Sequence, residues 1–503
     1  MQTSIIRLFL LPRAQKISEY DTRSEAIQQR VLRRLVAHSE RTEWGMKYGY
    51  ASINTYDDFA RQVPLSDYEN LKEYIDRMRH GEKDILWPGQ VKWFAKSSGT
   101  TNDKSKFIPV SAEGLHDTHY QGGTDCVAVY LQRYPDSSLF DSAGKGLILG
   151  GSHAPNYNLP QSLVGDLSAI LIENINPAVS LLRVPDKETA LISDFEEKMD
   201  RIAQSVKDVN VTSLSGVPSW MMAVLKHTLS VSGKQNLCEL WPNLEVFFHG
   251  GVAFTPYVEQ YKKLIPNDQM RYEETYNASE GFFGIQDDPS DPALKLMVDY
   301  GIFYEFIPMS EFGKEHPTIV PLWGVETGVN YAMVISTSCG LWRYILGDTV
   351  RFTQKDPYKF FITGRTKHFI NAFGEELIVD NAEKGLKQAC AATGAHVHEY
   401  TAAPVFMDGN AKCRHQWVVE FDAAPSDVTL FAELLDRALR EINSDYEAKR
   451  YKDITLQPLE VVVARKGLFH DWLKEKGKLG GQHKVPRLSN SRQYVDELIA
   501  MNK

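Results

Sequence analysis

The chain has 503 residues, with 43% hydrophobic and 24% charged side chains, enough for a large core and more than one domain. A formal net charge of -9 and a pI near 5.9 argue against a polyanion such as nucleic acid as the main partner, while leaving room for a local basic pocket. The five cysteines (Cys126, Cys238, Cys339, Cys390 and Cys413) are widely spaced and form neither a disulfide framework nor a metal-ligand pattern, which points to a reducing cytoplasm.

At the N-terminus, Ile5 to Leu11 is apolar but broken by Arg7, has no small-residue cleavage site behind it, and is too short to span a bilayer. An apolar helix packed on the body of the protein is expected there, with no membrane anchor and no obligate protein partner. Residues 24–38 repeat apolar side chains at helical spacing and predict an amphipathic helix. From about Lys92 short β-rich runs at 146–150, 209–218 and 244–251 alternate with helical segments at 219–230 and 256–265. That rhythm predicts an α/β fold with buried, mostly parallel strands and loops placed to bind ligands at strand ends. A polar, turn-prone stretch, TQKDPYKFF, marks a boundary near 353–366, and the remainder mixes strands and helices as a small α+β domain does. Two domains, 1–363 and 364–503, with an active site between them, are the expected organisation.

Five segments can carry chemistry. In Lys96-Ser97-Ser98-Gly99-Thr100-Thr101, small hydroxyl residues around a glycine let backbone N–H groups approach an anion, with Lys104 and Lys106 behind to neutralise phosphate charge. The P-loop pattern is absent. Tyr276-Asn277-Ala278-Ser279-Glu280-Gly281 offers a ring for a base and a carboxylate for magnesium. Trp342-Arg343-Tyr344-Ile345-Leu346-Gly347-Asp348 ends in an aspartate able to accept from a ribose diol. Gly364-Arg365-Thr366-Lys367 precedes Gly374-Glu375-Glu376, and Gly480-Gly481-Gln482-His483-Lys484 sets a lysine on a glycine-rich loop. Read singly, each also fits an ordinary turn, a surface carboxylate or a surface lysine.

Taken in order, the five segments resemble the adenylate-forming superfamily of acyl-CoA ligases, luciferases and peptide-synthetase adenylation domains. The phrases DYGIFYEFIP, GLWRYILGD and GGQHKVPR resemble one branch of it, the auxin-responsive Gretchen Hagen family of acyl acid-amido synthetases and its bacterial-type members, and the resemblance spans nearly the whole chain. Ala278-Ser279-Glu280 stands where that family has Ser-Ser-Glu, and the resemblance leaves the hormone-binding positions unassigned.

The resemblance implies a large N-terminal ATP- and acyl-binding domain and a small mobile C-terminal domain, with ATP and Mg²⁺ as cofactors. A carboxylic acid would attack the α-phosphate of ATP, expelling pyrophosphate, and the acyl group would pass from AMP to an amine such as an amino acid. It also implies site roles: Ser97, Ser98, Thr100 and Thr101 on the phosphates, Glu280 on Mg²⁺, Tyr276 with Ser279 beside adenine, Asp348 on the ribose and Arg365 on ribose or phosphate. Lys484 and Lys367 compete for the charge at the carboxylate and α-phosphate, with Lys484 favoured during adenylation. Tyr120, Val217, Trp220 and Phe254 are the expected lining of an acyl pocket. A thiol acceptor, as in CoA or carrier-protein ligases, is the alternative, and a silent nucleotide binder is the reading from another class.

Overall fold

The structure is a computed structural model that describes residues 3–98, 105–157, 159–252, 254, 257–366, 369–375, 377–406, 413–451, 456–476 and 485–503. The fold is mixed α/β in two compact units. The larger draws on Met1–Ser97 and Lys106–Thr366, and the smaller on the remainder of the chain to Lys503.

The larger unit begins with helices whose ends are set by local chemistry. Thr55 and Asp58 form a reciprocal capping box at the helix Tyr56–Gln62, and Asp67 and Asn70 do the same at Tyr68–Arg79. The predicted amphipathic helix spans Tyr20–Ser39 and buries Ile27, Val31, Leu32, Leu35 and Val36 along one face. The preceding helix, Thr3–Ser18, packs on the body of the unit as expected, with Ile17 in the core and Ile6 and Leu10 against it. Leu8 and Phe9, at 69% and 77% exposure, face outward. Polar contacts reinforce the docked face. Arg7 donates to the carbonyls of Leu131 and Tyr134, and the Arg13 guanidinium lies between Asp125 and Asp299. Arg7, which interrupts the apolar run, is itself part of the attachment.

The centre of this unit is a twelve-stranded sheet. From one edge, Arg183–Val184, Lys145–Ile148, Val211–Gly216, Val246–Gly250 and Arg271–Ala278 run parallel. The expectation of mostly parallel strands holds only for this part. Beyond Arg271–Ala278 every neighbour is antiparallel, through Gly281–Ile285, Leu294–Leu296, Tyr358–Arg365, Tyr344–Lys355, Asn330–Thr337, Ile302–Pro308 and Val320–Pro321. Turns as short as Ser279-Glu280 and Asp356-Pro357 can join only antiparallel partners. The polar TQKDPYKFF stretch is therefore a hairpin inside this sheet, and the larger unit continues through Thr366. A separate four-stranded sheet carries Trp93–Ser98 between Ser105–Val110 and Leu163–Gly165, with His153–Pro155 outermost. The core between sheet and helices is aromatic, with Phe283, Tyr300, Tyr304, Trp342, Tyr344 and Phe360 all at 0% exposure.

In the smaller unit, His396–Val405, Arg414–Ala423 and Glu460–Ala464 form a three-stranded sheet covered by helices that include Val379–Thr393 and Val428–Ile442. Among the described residues no helix is long and apolar enough to cross a membrane.

Candidate active site

Three of the five segments meet in the large sheet. Asp348 on Tyr344–Lys355 is the register partner of Arg365 at the end of Tyr358–Arg365, and the Arg365 Nε donates to Asp348 Oδ1 at 2.6 Å. Tyr276, from the next hairpin, donates its hydroxyl to Asp348 Oδ2. Asp348 is 8% exposed, so this carboxylate is nearly sealed on its protein side. Each of its oxygens still has acceptor capacity beyond these bonds. Gly347 makes the corner possible. Its φ of +96° lies in the left-handed region that a side chain resists, and its carbonyl accepts from Thr366 N at 2.8 Å.

The Tyr276 ring is 6% exposed and packs on Phe283 at 4.8 Å and Phe360 at 6.0 Å between centroids. It is thus a buried strut beneath Asp348, where the sequence suggested a surface for adenine. Burial first, and the Asp348 charge second, raise the phenol's pKa well above its ordinary value, so Tyr276 remains a donor. Ser279 and Glu280 form the two-residue turn above it, and Glu280 is 8% exposed. Among the described residues, no group of three or more His, Cys, Asp or Glu is placed to hold a metal ion.

Ser97 is half-buried near the end of Trp93–Ser98. Thr100, Thr101 and Lys104 lie outside the described residues, as do Lys367 and Lys484, and of Ser98 only the backbone is described. Lys106 stands over the Tyr68 ring at 5.9 Å. In the smaller unit Glu375 pairs with His415 Nε2 at 2.7 Å, both at 0% side-chain exposure, and its other oxygen accepts from Phe373 N. The segment after Lys484 is tied to the same unit's sheet, where Ala402 N donates to Arg487 O at 2.9 Å.

The four residues expected around an acyl pocket do not form one cluster. Tyr120 is half-buried and donates to the Leu171 carbonyl at 2.7 Å, beside the helix Gln121–Arg133. That helix covers the sheet face bearing Phe248, which meets Tyr130 at 5.6 Å. Phe254 belongs to the opposite face, stacked on His249 at 4.0 Å and beside Phe247, Tyr261 and Tyr272, because side chains alternate along Val246–Gly250. Val217 reaches the strand end, since a Cβ at Gly251 would meet its Cγ2 at 3.2 Å. Gly250 tolerates no side chain either: a Cβ there would lie 2.4 Å from the Thr275 carbonyl oxygen. Trp220 lies two residues beyond Pro218, whose carbonyl accepts from Tyr261.

Two features were not anticipated from sequence. Lys198, on Phe195–Val206, is 5% exposed and donates to the carbonyls of Gly150 and Gly151 at 2.9 Å each, with the Trp220 ring 5.7 Å away. Burial lowers its pKa to about 8. The only sequence signal was a lysine on the apolar side of an amphipathic helix. Glu305 of FYEFIP and Arg343 of GLWRYILGD form a bidentate pair at 2.8 and 2.9 Å, with side-chain exposures of 1% and 4%. Arg343 Nη1 completes it on the carbonyls of Ala60 and Val63, both at 2.8 Å. The two branch-specific phrases are therefore halves of one buried contact.

The chain has a two-unit α/β fold with an aspartate–arginine–tyrosine contact in its large sheet. Across 98% of this chain and 96% of that one, it superposes on the acyl acid amido synthetase GH3.15 of a complex with 2,4-DB, with TM-score 0.61 at 19% identity. A 2-hydroxyisobutyryl-CoA ligase in the thioesterification state matches with TM-score 0.53 at 14% identity, over 95% and 91% of the two chains. The GH3 family N-terminal domain matches residues 13–270, the central domain 295–365 and the C-terminal domain 380–493. The chain belongs to the GH3 (Gretchen Hagen) family. Its curated relatives include an indole-3-acetic acid-amido synthetase of Arabidopsis thaliana, 24% identical over 94% of this chain and 90% of that protein. A jasmonoyl-L-amino acid synthetase of Oryza sativa subsp. japonica is 25% identical over 97% and 96%.

Proposed function

We propose that this protein is an acyl acid-amido synthetase: it activates a carboxylic acid with ATP, releasing pyrophosphate, and passes the acyl group from AMP to an amino acid. The observation that carries the reading is the Tyr276–Asp348–Arg365 contact, which joins three separated motif segments into one polar site inside a chain that matches the family over residues 13–270, 295–365 and 380–493. Asp348 retains acceptor capacity for the two ribose hydroxyls, oriented by Tyr276 from below and Arg365 from the side. Arg365 also brings a fixed positive charge toward the phosphates. The side-chain-free Gly250-Gly251 corner, with Val217 against it, offers a flat approach for the adenine ring.

Phosphoryl and acyl transfer depend on positioned donors and cations, because charge develops on oxygens that the protein must already face. Ser97, Ser98, Thr100 and Thr101 take the phosphates in this reading. Lys484 serves the adenylation step and Lys367 competes with it, through reorientation of a C-terminal domain beginning near residue 364. Glu280 would hold a magnesium ion together with phosphate oxygens and water, as that ion usually binds beside nucleotides. Bound there, the ion supplies charge neutralisation at the phosphates. The acceptor amine attacks the acyl carbonyl, and AMP leaves with the electron pair of the broken C–O bond. Five free cysteines fit a reducing cytoplasm.

The test is pyrophosphate release from ATP and Mg²⁺ over a panel of aryl, indolyl and fatty acids, with and without amino acids. Acid-dependent release that rises with amino acids and collapses in Lys484→Ala supports the reading. A response to CoA in place of amino acids would replace the acceptor, and ATP binding without release for any acid would overturn it.

A further inference from the structure

Among the described residues three arginines are buried to less than 5% exposure: Arg183, Arg343 and Arg450. Two are matched by acceptors. Arg343 holds Glu305 and two backbone carbonyls, and Arg450 holds Asp436 in a bidentate pair and donates to the Leu456 carbonyl. Arg183 is not. It is 3% exposed, and Nε, Nη1 and Nη2 all lack a hydrogen-bond partner. A guanidinium does not escape burial by losing its proton at physiological pH, so an unmatched one is a standing cost to the fold. Burial lowers its pKa, and Asp186 is the acidic group that opposes this. Asp186 is occupied as a helix cap, accepting from Thr189 N at 2.8 Å.

The surroundings of Arg183 follow from strand register. In the parallel edge of the sheet Arg183 pairs with Gly146, and Gly146 with Ser213, so the three share one face. The middle position has no side chain. A Cβ at Gly146 would stand 3.0 Å from Ser213 Oγ, so the serine hydroxyl leans toward that position. The row is thus a cation, a bare backbone position and a hydroxyl. This is the sheet face covered by the helix Gln121–Arg133, and none of the three residues takes part in the reaction proposed above.

We propose that Arg183 is the anchor of a carboxylate-binding site over Gly146, with the Ser213 hydroxyl as a second donor. The planar guanidinium fork matches a carboxylate bidentately, as the chain itself does at Glu305 and Asp436. Charge balance favours a monoanion. With Asp186 already acting on Arg183, a phosphate dianion would leave net negative charge in a buried place, whereas one carboxylate leaves less.

The experiment is thermal denaturation of the full chain without ATP, titrated with sodium acetate and sodium benzoate, then with sodium phosphate, at ionic strength held constant with sodium chloride. Omitting ATP separates the outcome from the enzymatic reading. The expected result is a saturable rise in Tm with a carboxylate. In Arg183→Met the apparent affinity falls about tenfold or more, and Arg183→Lys lies between, because a lysine makes a single-point contact. The ligand-free Tm of Arg183→Met should equal or exceed that of the wild type, since an unmatched buried charge has been removed. If Arg183→Met does not fold, the lysine variant carries the comparison. An unchanged carboxylate response in the variants, no response in the wild type, or a response to phosphate alone would each overturn the assignment.

Discussion

Two carboxylate–guanidinium pairs meet the same segment of chain, residues 343–348, and they are built differently. Glu305–Arg343 is sealed, with side-chain exposures of 1% and 4%, and its guanidinium is filled by a carboxylate and two carbonyls. Asp348–Arg365 lies five residues further on at 11% and 24%, and its carboxylate keeps room for more donors. A pair with nearly every valence used holds elements together, here the helix Tyr56–Gln62 to the sheet through Ala60. A pair with valences left over can still take further donors. Burial alone does not separate the two cases, since both carboxylates are largely enclosed. Saturation does.

That contrast breaks most visibly at Arg343. Arg343→Met strands the Glu305 charge in the core, and should cost about 3–5 kcal/mol in urea unfolding. Adding Glu305→Leu should recover a large part of the loss, because removing both charges also removes the desolvation penalty. If the single variant were as stable as the wild type, the sealed pair would not be the fold's clamp.

Asp348→Asn should show the opposite profile. The amide keeps a hydrogen bond from Tyr276 and fills the same volume, so Tm changes little. Acid-dependent pyrophosphate release should fall by about 10²–10³, the usual cost of one preorganised polar contact. A variant that unfolds while its residual activity per folded molecule is normal would move Asp348 into the structural class.

Tyr276→Phe sharpens the same point with a smaller effect. It removes one donor to a charged acceptor, worth about 1.5–3 kcal/mol, divided between stability and orientation of the carboxylate. A rate loss of about tenfold is expected. Because burial and Asp348 raise the phenol's pKa, its proton stays on as pH rises through its ordinary value, and the loss should be the same at neutral and mildly alkaline pH. A loss that disappears at alkaline pH would mean that the phenol titrates in that range.

How much of this is legible in the sequence depends on the range over which each feature is decided. Helix Tyr20–Ser39 and the strands at 145–148, 211–216 and 246–250 follow from local periodicity, and their element types can be read from it. The antiparallel half of the sheet is not legible in this way, because a two-residue turn such as Ser279-Glu280 can be recognised as a hairpin only once both flanks are known to be strands. The motif segments are visible as chemistry, and register alone sets Asp348 against Arg365. Tyr276 beneath Asp348, Lys198 under Gly150-Gly151 and Arg183 beside Gly146 join residues far apart in sequence, and the neighbouring residues do not name the partner. The expected acyl lining fails as a group for the same reason: Tyr120 and Phe254 belong to opposite faces of one sheet, a parity that no single segment contains.

The first helix gives the smallest effect and tests the rule from its other side. Its docked face carries Arg7 and Arg13 beside Ile6, Leu10 and Ile17, while Phe9 is 77% exposed and makes no part of the core. Phe9→Ser should therefore change stability by no more than about 0.5 kcal/mol, as surface substitutions do. Arg13 reaches Asp125 and Asp299, whose side chains are 0% and 8% exposed, so it behaves as a member of the sealed class. Measured side by side by urea unfolding, a charged residue in an apolar segment should matter far more than the aromatic four positions before it. The buried cation would then outweigh the exposed aromatic in holding the helix. A Phe9→Ser loss comparable to that of Arg13→Met would overturn that order.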